Sequence, residues 1–254
     1  HSIEAVAAIE ALLGVDGSHY KRGEILDPVP WSPELARHFN QEVGGGVNRK
    51  TLLKLTALLH DIAKPLTKSI DETGRMRFFG HAKEGAAMAE QILERLRFSN
   101  REIKMVQKMV EYHLRPGQMS NEGLPTRRAI YRYFRDAAEV GIDTLFLSLA
   151  DHLATRGPHL DLIQWQQHCR EVEYVLAEYQ REESIITPAK LLDGHDLISI
   201  FNMTPGPQIG KFLEAVREAQ ATSEISNREE ALSFIRSLLF LDIECDKCAE
   251  EIHR

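Results

Sequence analysis

The sequence predicts an all-α protein, and three observations lead there. Apolar residues recur at spacings of three and four along nearly the whole chain, no segment alternates over a strand's length, and the breaks fall at Gly and Pro. A first helix is expected over residues 2–13, followed by a loop with Gly14, Gly17, Gly23 and two prolines. A short helix then starts near Ser32, where Ser-Pro supplies a cap and a proline at the first helical position, and Gly44, Gly45 and Gly46 are expected to end it. A strongly apolar helix follows over 49–64 and stops at Pro65. Two more cover 81–96 and 100–114, the second closed by Pro116. Further helices are expected over 125–136, 141–155, 160–182, 188–200, 207–221 and 227–250. The Arg156-Gly157-Pro158 break is the expected domain boundary, giving a helical bundle over 1–158 and a smaller helical region over 159–254.

Composition narrows the class. With 254 residues, 43% of them hydrophobic, the chain can bury a large core. No apolar run approaches the roughly 18 residues of a membrane span, and no secretory signal opens the sequence. Three cysteines, Cys169, Cys245 and Cys248, do not make a disulfide framework, so a reducing, cytoplasmic setting is expected, with no membrane partner. A net charge of −7 argues against a surface that is basic throughout, while leaving room for a local basic stripe. Composition carries no expectation of oligomeric state.

The chemistry begins on the helix LLKLTALLHDIAKP. Leu52, Leu55, Leu58, Leu59 and Ile62 make it apolar nearly all round, yet His60 and Asp61 sit in its last turns. A buried carboxylate costs several kcal/mol unless a cation, a hydrogen bond or a proton neutralises it. Asp151 repeats the anomaly within LFLSLADHLATRG, after a run of leucines and Phe146. Ile103, Val106, Val110 and His113 share one helix face, so His113 points with core side chains, and His81 opens its helix directly after Gly80. Taken singly, each reads first as a core histidine or a paired surface acid. Together, imidazoles and carboxylates from several helices of a bundle form the donor set of a transition-metal site, favouring Mn, Fe, Co, Ni or Zn over Mg, and an aspartate can bridge two ions.

The order His1, His60-Asp61, His81, His113, Asp151, with HDIAKP near the middle, resembles the HD-domain superfamily of metal-dependent phosphohydrolases. The stretches GHAKEGAAMAEQILERLRFSNREI, VEYHLRP, LADHLATRG and LLDGHDLISIFNMTPGPQIGKFLEAVREAQATSEISNREEAL are similar to the C-terminal half of bacterial CCA-adding tRNA nucleotidyltransferases and poly(A) polymerases. The HD hydrolases of guanosine tetraphosphate are a more distant likeness, since the tail follows the polymerases. The resemblance implies hydrolysis of phosphate mono- or diesters, including 2',3'-cyclic phosphates, with one or two divalent ions held by His1, His60, Asp61, His81, His113 and Asp151. Those polymerases also carry a head with a Gly-Ser or Gly-Gly turn and paired acids. No such segment occurs in these 254 residues, so this chain is not expected to polymerise alone. The alternative is that it serves as the tRNA-binding part of such an enzyme, with an auxiliary or vestigial HD site. His1 is a ligand on this likeness or an unrelated first residue.

In the mechanism so implied, metal lowers the pKa of bound water until hydroxide exists near neutral pH and aims it at phosphorus, so no protein nucleophile is needed. Lys64, three residues after Asp61, and Arg115, just past His113, are candidates to neutralise phosphate charge beside Asp61, or are ordinary solvated cations. Arg128, Arg132 and Arg135 share a helix face near Tyr131 and Tyr133, which could follow an RNA backbone, although a solvated charged face is the commoner reading. His195-Asp196 begins a helix rather than lying inside an apolar one, which argues against metal. Cys245-x-x-Cys248 lacks a second pair to complete a zinc site.

Overall fold

A computed structural model describes residues 1–14, 20, 23–120, 123–182 and 190–239. The fold is all-α, apart from two short antiparallel hairpins. The chain divides into two compact units. Unit 1 comprises 1–126 and 133–177, and unit 2 comprises 127–132 and 178–254. The chain passes between the units at 126/127, 132/133 and 177/178, and Arg156-Gly157-Pro158 lies within unit 1.

Unit 1 is built on α1 (Ser2–Leu12), α2 (Pro33–Asn40), the hairpin β1–β2 (Glu42–Gly44, Val47–Asn48) and α3 (Arg49–Leu59). The hairpin β3–β4 (Ser69–Ile70, Met76–Arg77), α4 (His81–Arg95) and α5 (Asn100–Tyr112) follow. Polar caps start these helices where the sequence places them. Ser32 accepts from the Leu35 N–H with Pro33 next, Asn48 accepts from Thr51 N–H, and Ser99 forms a reciprocal capping box with Glu102. Two expectations are corrected. The Gly44-Gly45-Gly46 run does not end α2, which stops at Asn40; Gly45 and Gly46 take positive φ (59° and 81°) and turn the β1–β2 hairpin instead. Likewise α3 ends at Leu59, not Lys64. The Lys64 and Ile62 amides bond to carbonyls three residues back, which tightens the chain into turns before Pro65.

α3 packs against α1, α5 and α7 (Gly141–Arg156), and α4 lies along α5. Ala8, Ile9, Leu52, Leu53, Val106, Met109, Leu145 and Leu149 interlock there without exposure. Each large aliphatic side chain so buried contributes about 1.5–3 kcal/mol. Gly85 allows α4 its close approach, since a Cβ there would meet Val110 Cγ1 at 3.3 Å and the His60 carbonyl at 3.7 Å. This brings the start of α4 toward the end of α3.

α6 (Arg127–Ala137) and α8 (Leu162–Glu182) each contribute residues to both units. Unit 2 contains α9 (Gly194–Phe201), α10 (Pro207–Ala221) and a helical stretch over 228–239 around Leu197, Ile209, Phe212, Val216, Ala231 and Ile235. Asp193 and Asp196 form the capping box of α9, so that His195-Asp196 begins a helix as expected. Cys245, Cys248 and the end of the expected 227–250 helix lie outside the described residues. No helix among the described residues is long and apolar enough to cross a membrane.

Candidate metal centre

Four of the six candidate ligands sit at helix ends, two at N-termini and two at C-termini, where the chain changes direction. His60 caps α3, His113 caps α5, His81 opens α4 after Gly80, whose φ is +80°, and His1 caps α1. Asp61 follows His60, and Asp151 lies within α7. Each of the three inner histidines makes the same local bond. His60 Nδ1 donates to the Ala57 carbonyl at 2.8 Å, His81 Nδ1 to Phe78 at 2.7 Å and His113 Nδ1 to Val110 at 2.6 Å. A carbonyl can only accept, so Nδ1 carries a proton in each ring, and each ring in its neutral form turns an Nε2 lone pair inward.

Those lone pairs converge on two carboxylates. His1 Nε2 lies 3.2 Å from His60 Nε2, 3.2 Å from Asp61 Oδ2 and 3.1 Å from Asp151 Oδ1. His60 Nε2 completes that group at 3.3 Å from Asp61 Oδ2 and 3.6 Å from Asp151 Oδ1. The second group uses the other oxygen. Asp61 Oδ1 lies 3.5 Å from His81 Nε2 and 3.8 Å from His113 Nε2, and the two nitrogens are 3.4 Å apart. Asp61 is thus common to both groups. Its Oδ1 is buried with no hydrogen-bond partner.

These separations fit a cation. Donors bound at about 2.1 Å to one ion stand about 3.0 Å apart at octahedral angles and about 3.4 Å apart at tetrahedral ones. A cluster of inward acceptors without protons or a cation would be repulsive, and the buried orphan oxygen of Asp61 needs a partner. The His/Asp cluster can therefore hold a divalent metal.

Without metal, a proton on His60 takes the place of the cation beside Asp61 and Asp151. Burial disfavours the His60 cation, but hydrogen bonds and charge from Asp151 and Asp61 outweigh it and raise its pKa to about 9. Burial would raise Asp61, yet His60 and Lys64 hold it well below the ordinary carboxylate range, and Asp151 is lowered against burial by His60. Burial pushes His113 down to about 4, with the charge of His60 adding to it and the Val110 hydrogen bond opposing it.

The candidate cations are all engaged. Lys64 Nζ lies 2.5 Å from Asp61 Oδ2 and over the Phe78 ring at 5.7 Å, so its nearest anion is the carboxylate itself. Arg115 pairs with Asp136 at 3.0 Å. Arg128 and Arg132 meet Glu218 at 3.0 and 2.7 Å, Arg128 also meets Glu224 at 2.8 Å, and Arg135 pairs with Asp136 at 2.7 Å.

Sequence reasoning missed the neighbourhood of Asp151. His152 follows it in LADHLATRG, and its ring stacks on His168 at 5.3 Å and 21°. Burial, helped by His168 and Arg156, pushes His152 down to about 4. Ser148 Oγ lies 3.3 Å from His168 Nε2. The spacing of Ser148, Asp151, His152 and Thr155 on one helix face was the available signal.

The HD domain family model matches residues 34–156. The chain is 35% identical over 186 residues to an A-adding tRNA nucleotidyltransferase of Deinococcus radiodurans, covering 73% of this chain and 41% of that protein. It is 35% identical over 185 residues to a CC-adding tRNA nucleotidyltransferase of Thermus thermophilus, covering 72% and 39%. A CC-adding enzyme of Synechocystis is 27% identical over 151 residues, covering 59% and 33%. The chain thus spans about two fifths of the length of the first two relatives.

Proposed function

Because residues 34–156 are an HD domain in a chain related to CCA-adding tRNA nucleotidyltransferases, we propose that this protein is a metal-dependent phosphohydrolase acting on a nucleotide or RNA-end phosphoester. The observation that carries the reading is the set of three imidazoles, each fixed by a carbonyl three residues back, turned toward an aspartate with a buried unpartnered oxygen. His1, His60, Asp61 and Asp151 would hold one ion, and Asp61, His81 and His113 a second. A bound divalent ion would supply Lewis acidity toward a phosphoryl oxygen and water ionised near neutral pH, with the nitrogen-rich donor set favouring Mn, Fe, Co, Ni or Zn over Mg. Asp61 orients both groups at once. Lys64 holds Asp61 and lies where it can share that charge with a phosphate, while Arg115 would first have to leave Asp136. On this reading the functional module is 1–158, and 159–254 is an appended helical region.

The test is metal analysis of the purified chain together with hydrolysis of a nucleoside 2',3'-cyclic phosphate in Mn2+, Co2+ or Ni2+. Outer-shell changes at metal sites typically cost about 10- to 100-fold, so Asp61→Ala is expected to lower turnover by more than about 100-fold. A wild-type chain with neither bound metal nor turnover sinks the reading.

A second reading rests on the 35% identity to tRNA enzymes: the chain as the tRNA-binding part of a longer nucleotidyltransferase, with its HD site auxiliary. Arg128, Arg132 and Arg135 would follow the RNA backbone, in competition with Glu218, Glu224 and Asp136. Retention of tRNA at low salt that weakens on changing Arg128 and Arg132 together supports it. Retention that is unchanged counts against those residues.

A further inference from the structure

An open cleft of about 250 Å3 adjoins the candidate metal centre, and His113 and Asp151 form part of its wall. A substrate in it therefore reaches the side chains that would hold metal. The α7 residues Ser148, His152, Thr155 and Arg156 line it beside Asp151, with His168 packed on Ser148 and His152. Two groups there have no use in the chemistry proposed above. His152 lines the cleft, its ring packed between His168 and Trp165, and its Nε2 is buried with no hydrogen-bond partner. Arg156 lines the cleft and has no acidic partner among the described residues, whereas Arg115, Arg128, Arg132 and Arg135 are all paired.

Size and spacing define what fits. The volume lies just below the roughly 300–1,000 Å3 of pockets for drug-sized ligands, which suits one nucleotide and not a folded RNA. Arg156 comes five residues after Asp151, about 7.5 Å further along the helix axis at 1.5 Å per residue. A nucleoside spans such a separation between the phosphates on the two sides of its ribose. Arg156 toward one end and a metal-binding cluster at the other match that pattern of charge, with the His152 ring in the wall between them.

We propose that the cleft binds a nucleotide carrying phosphate on both sides of its ribose, as the last nucleotide of an RNA does, with the reacting phosphoester at the His/Asp cluster, the nucleoside against His152 and the 5'-phosphate on Arg156. The assignment of the reacting end rests on the hydrolase reading. Arg156 and His152 are specificity-determining residues in this arrangement, and neither holds metal.

The experiment compares kcat/KM for adenosine 2',3'-cyclic phosphate with that for its 5'-phosphorylated form. A charge-assisted contact to the 5'-phosphate is expected to favour the second substrate by about tenfold or more. Arg156→Gln brings the ratio close to one, while Arg95→Gln, at the exposed end of α4, keeps it; metal content and melting temperature confirm that both variants fold. Equal values in the wild type, or an undiminished preference in Arg156→Gln, overturns the proposal. Should the wild type turn over neither substrate, calorimetry with adenosine 3',5'-bisphosphate and the Mn2+-loaded chain decides. Binding that weakens about tenfold in Arg156→Gln keeps the pocket and removes only the hydrolase reading, whereas absence of binding removes the pocket.

Discussion

His81 Nε2 and His113 Nε2 face each other at 3.4 Å, although 32 residues separate them, and each ring's other nitrogen is held by a carbonyl of its own segment. Neither nitrogen carries a proton in that tautomer, so a cation is the partner both require. If one ion sits between them and Asp61, His113→Ala is expected to reduce bound Mn2+ from two ions per chain to one. Asp61→Asn, which weakens both groups, is expected to reduce it further. Elemental analysis after dialysis reads both, and full loading of His113→Ala would remove the second group as a site.

Bound metal should also stabilise unit 1. At a free concentration about 100 times Kd, a ligand specific to the folded state adds about 2.7 kcal/mol, which raises Tm by about 5–10 °C for a chain of this size. Tryptophan fluorescence follows unit 1, since Trp31 and Trp165 both lie in it. The rise is expected with Mn2+, Co2+ or Ni2+ and is expected to disappear on adding EDTA.

A buried ion pair braces the same unit away from the cluster. Arg49 Nη1 meets Asp143 Oδ2 at 2.7 Å and His38 Nε2 meets the same oxygen at 3.0 Å, with Asp143 wholly buried. Arg49→Met leaves a buried carboxylate without its guanidinium and is expected to cost about 3–5 kcal/mol. The double change Arg49→Met with Asp143→Leu is expected to cost less than either single change. Urea unfolding followed by tryptophan fluorescence gives all three values.

Acid should loosen α9 in unit 2 through one carboxylate. The hydrogen bond from Arg228, supported by the Asp193 backbone, lowers Asp196 to about 2. A folded value below the ordinary 3.8 means that this contribution is present above about pH 4 and is lost as pH falls toward 2. Amide exchange of 194–201 is expected to accelerate over that window in the wild type. In Asp196→Asn, which lacks the charge, exchange is expected to be faster at pH 6 and to change less between pH 4 and 2.

Much of the helical frame is legible locally. Ser32-Pro33, Asn48, Ser99 with Glu102 and Asp193 with Asp196 each start a helix through contacts within three residues, which a sequence displays directly. The two hairpins are not legible that way. Strands of two or three residues are too short to show alternation, and β1–β2 depends on positive φ at Gly45 and Gly46. The end of α3 is hidden for a related reason. The apolar pattern runs on past Leu59, while the backbone turns to bring His60 and Asp61 together with residues from other helices.

The same division holds for the candidate site. The order of His1, His60, Asp61, His81, His113 and Asp151, and the apolar surroundings that make His60, Asp61, His113 and Asp151 anomalous, are properties of the sequence alone, because burial of a polar group can be read from its neighbours' periodicity. Only the tertiary structure decided that Asp61 turns one oxygen to each of two groups, that Lys64 rests on that carboxylate, and that Arg132 meets Glu218 86 residues away. Such pairings depend on which helix ends meet after packing. Helical periodicity fixes the face of a side chain and leaves open its partner across the bundle.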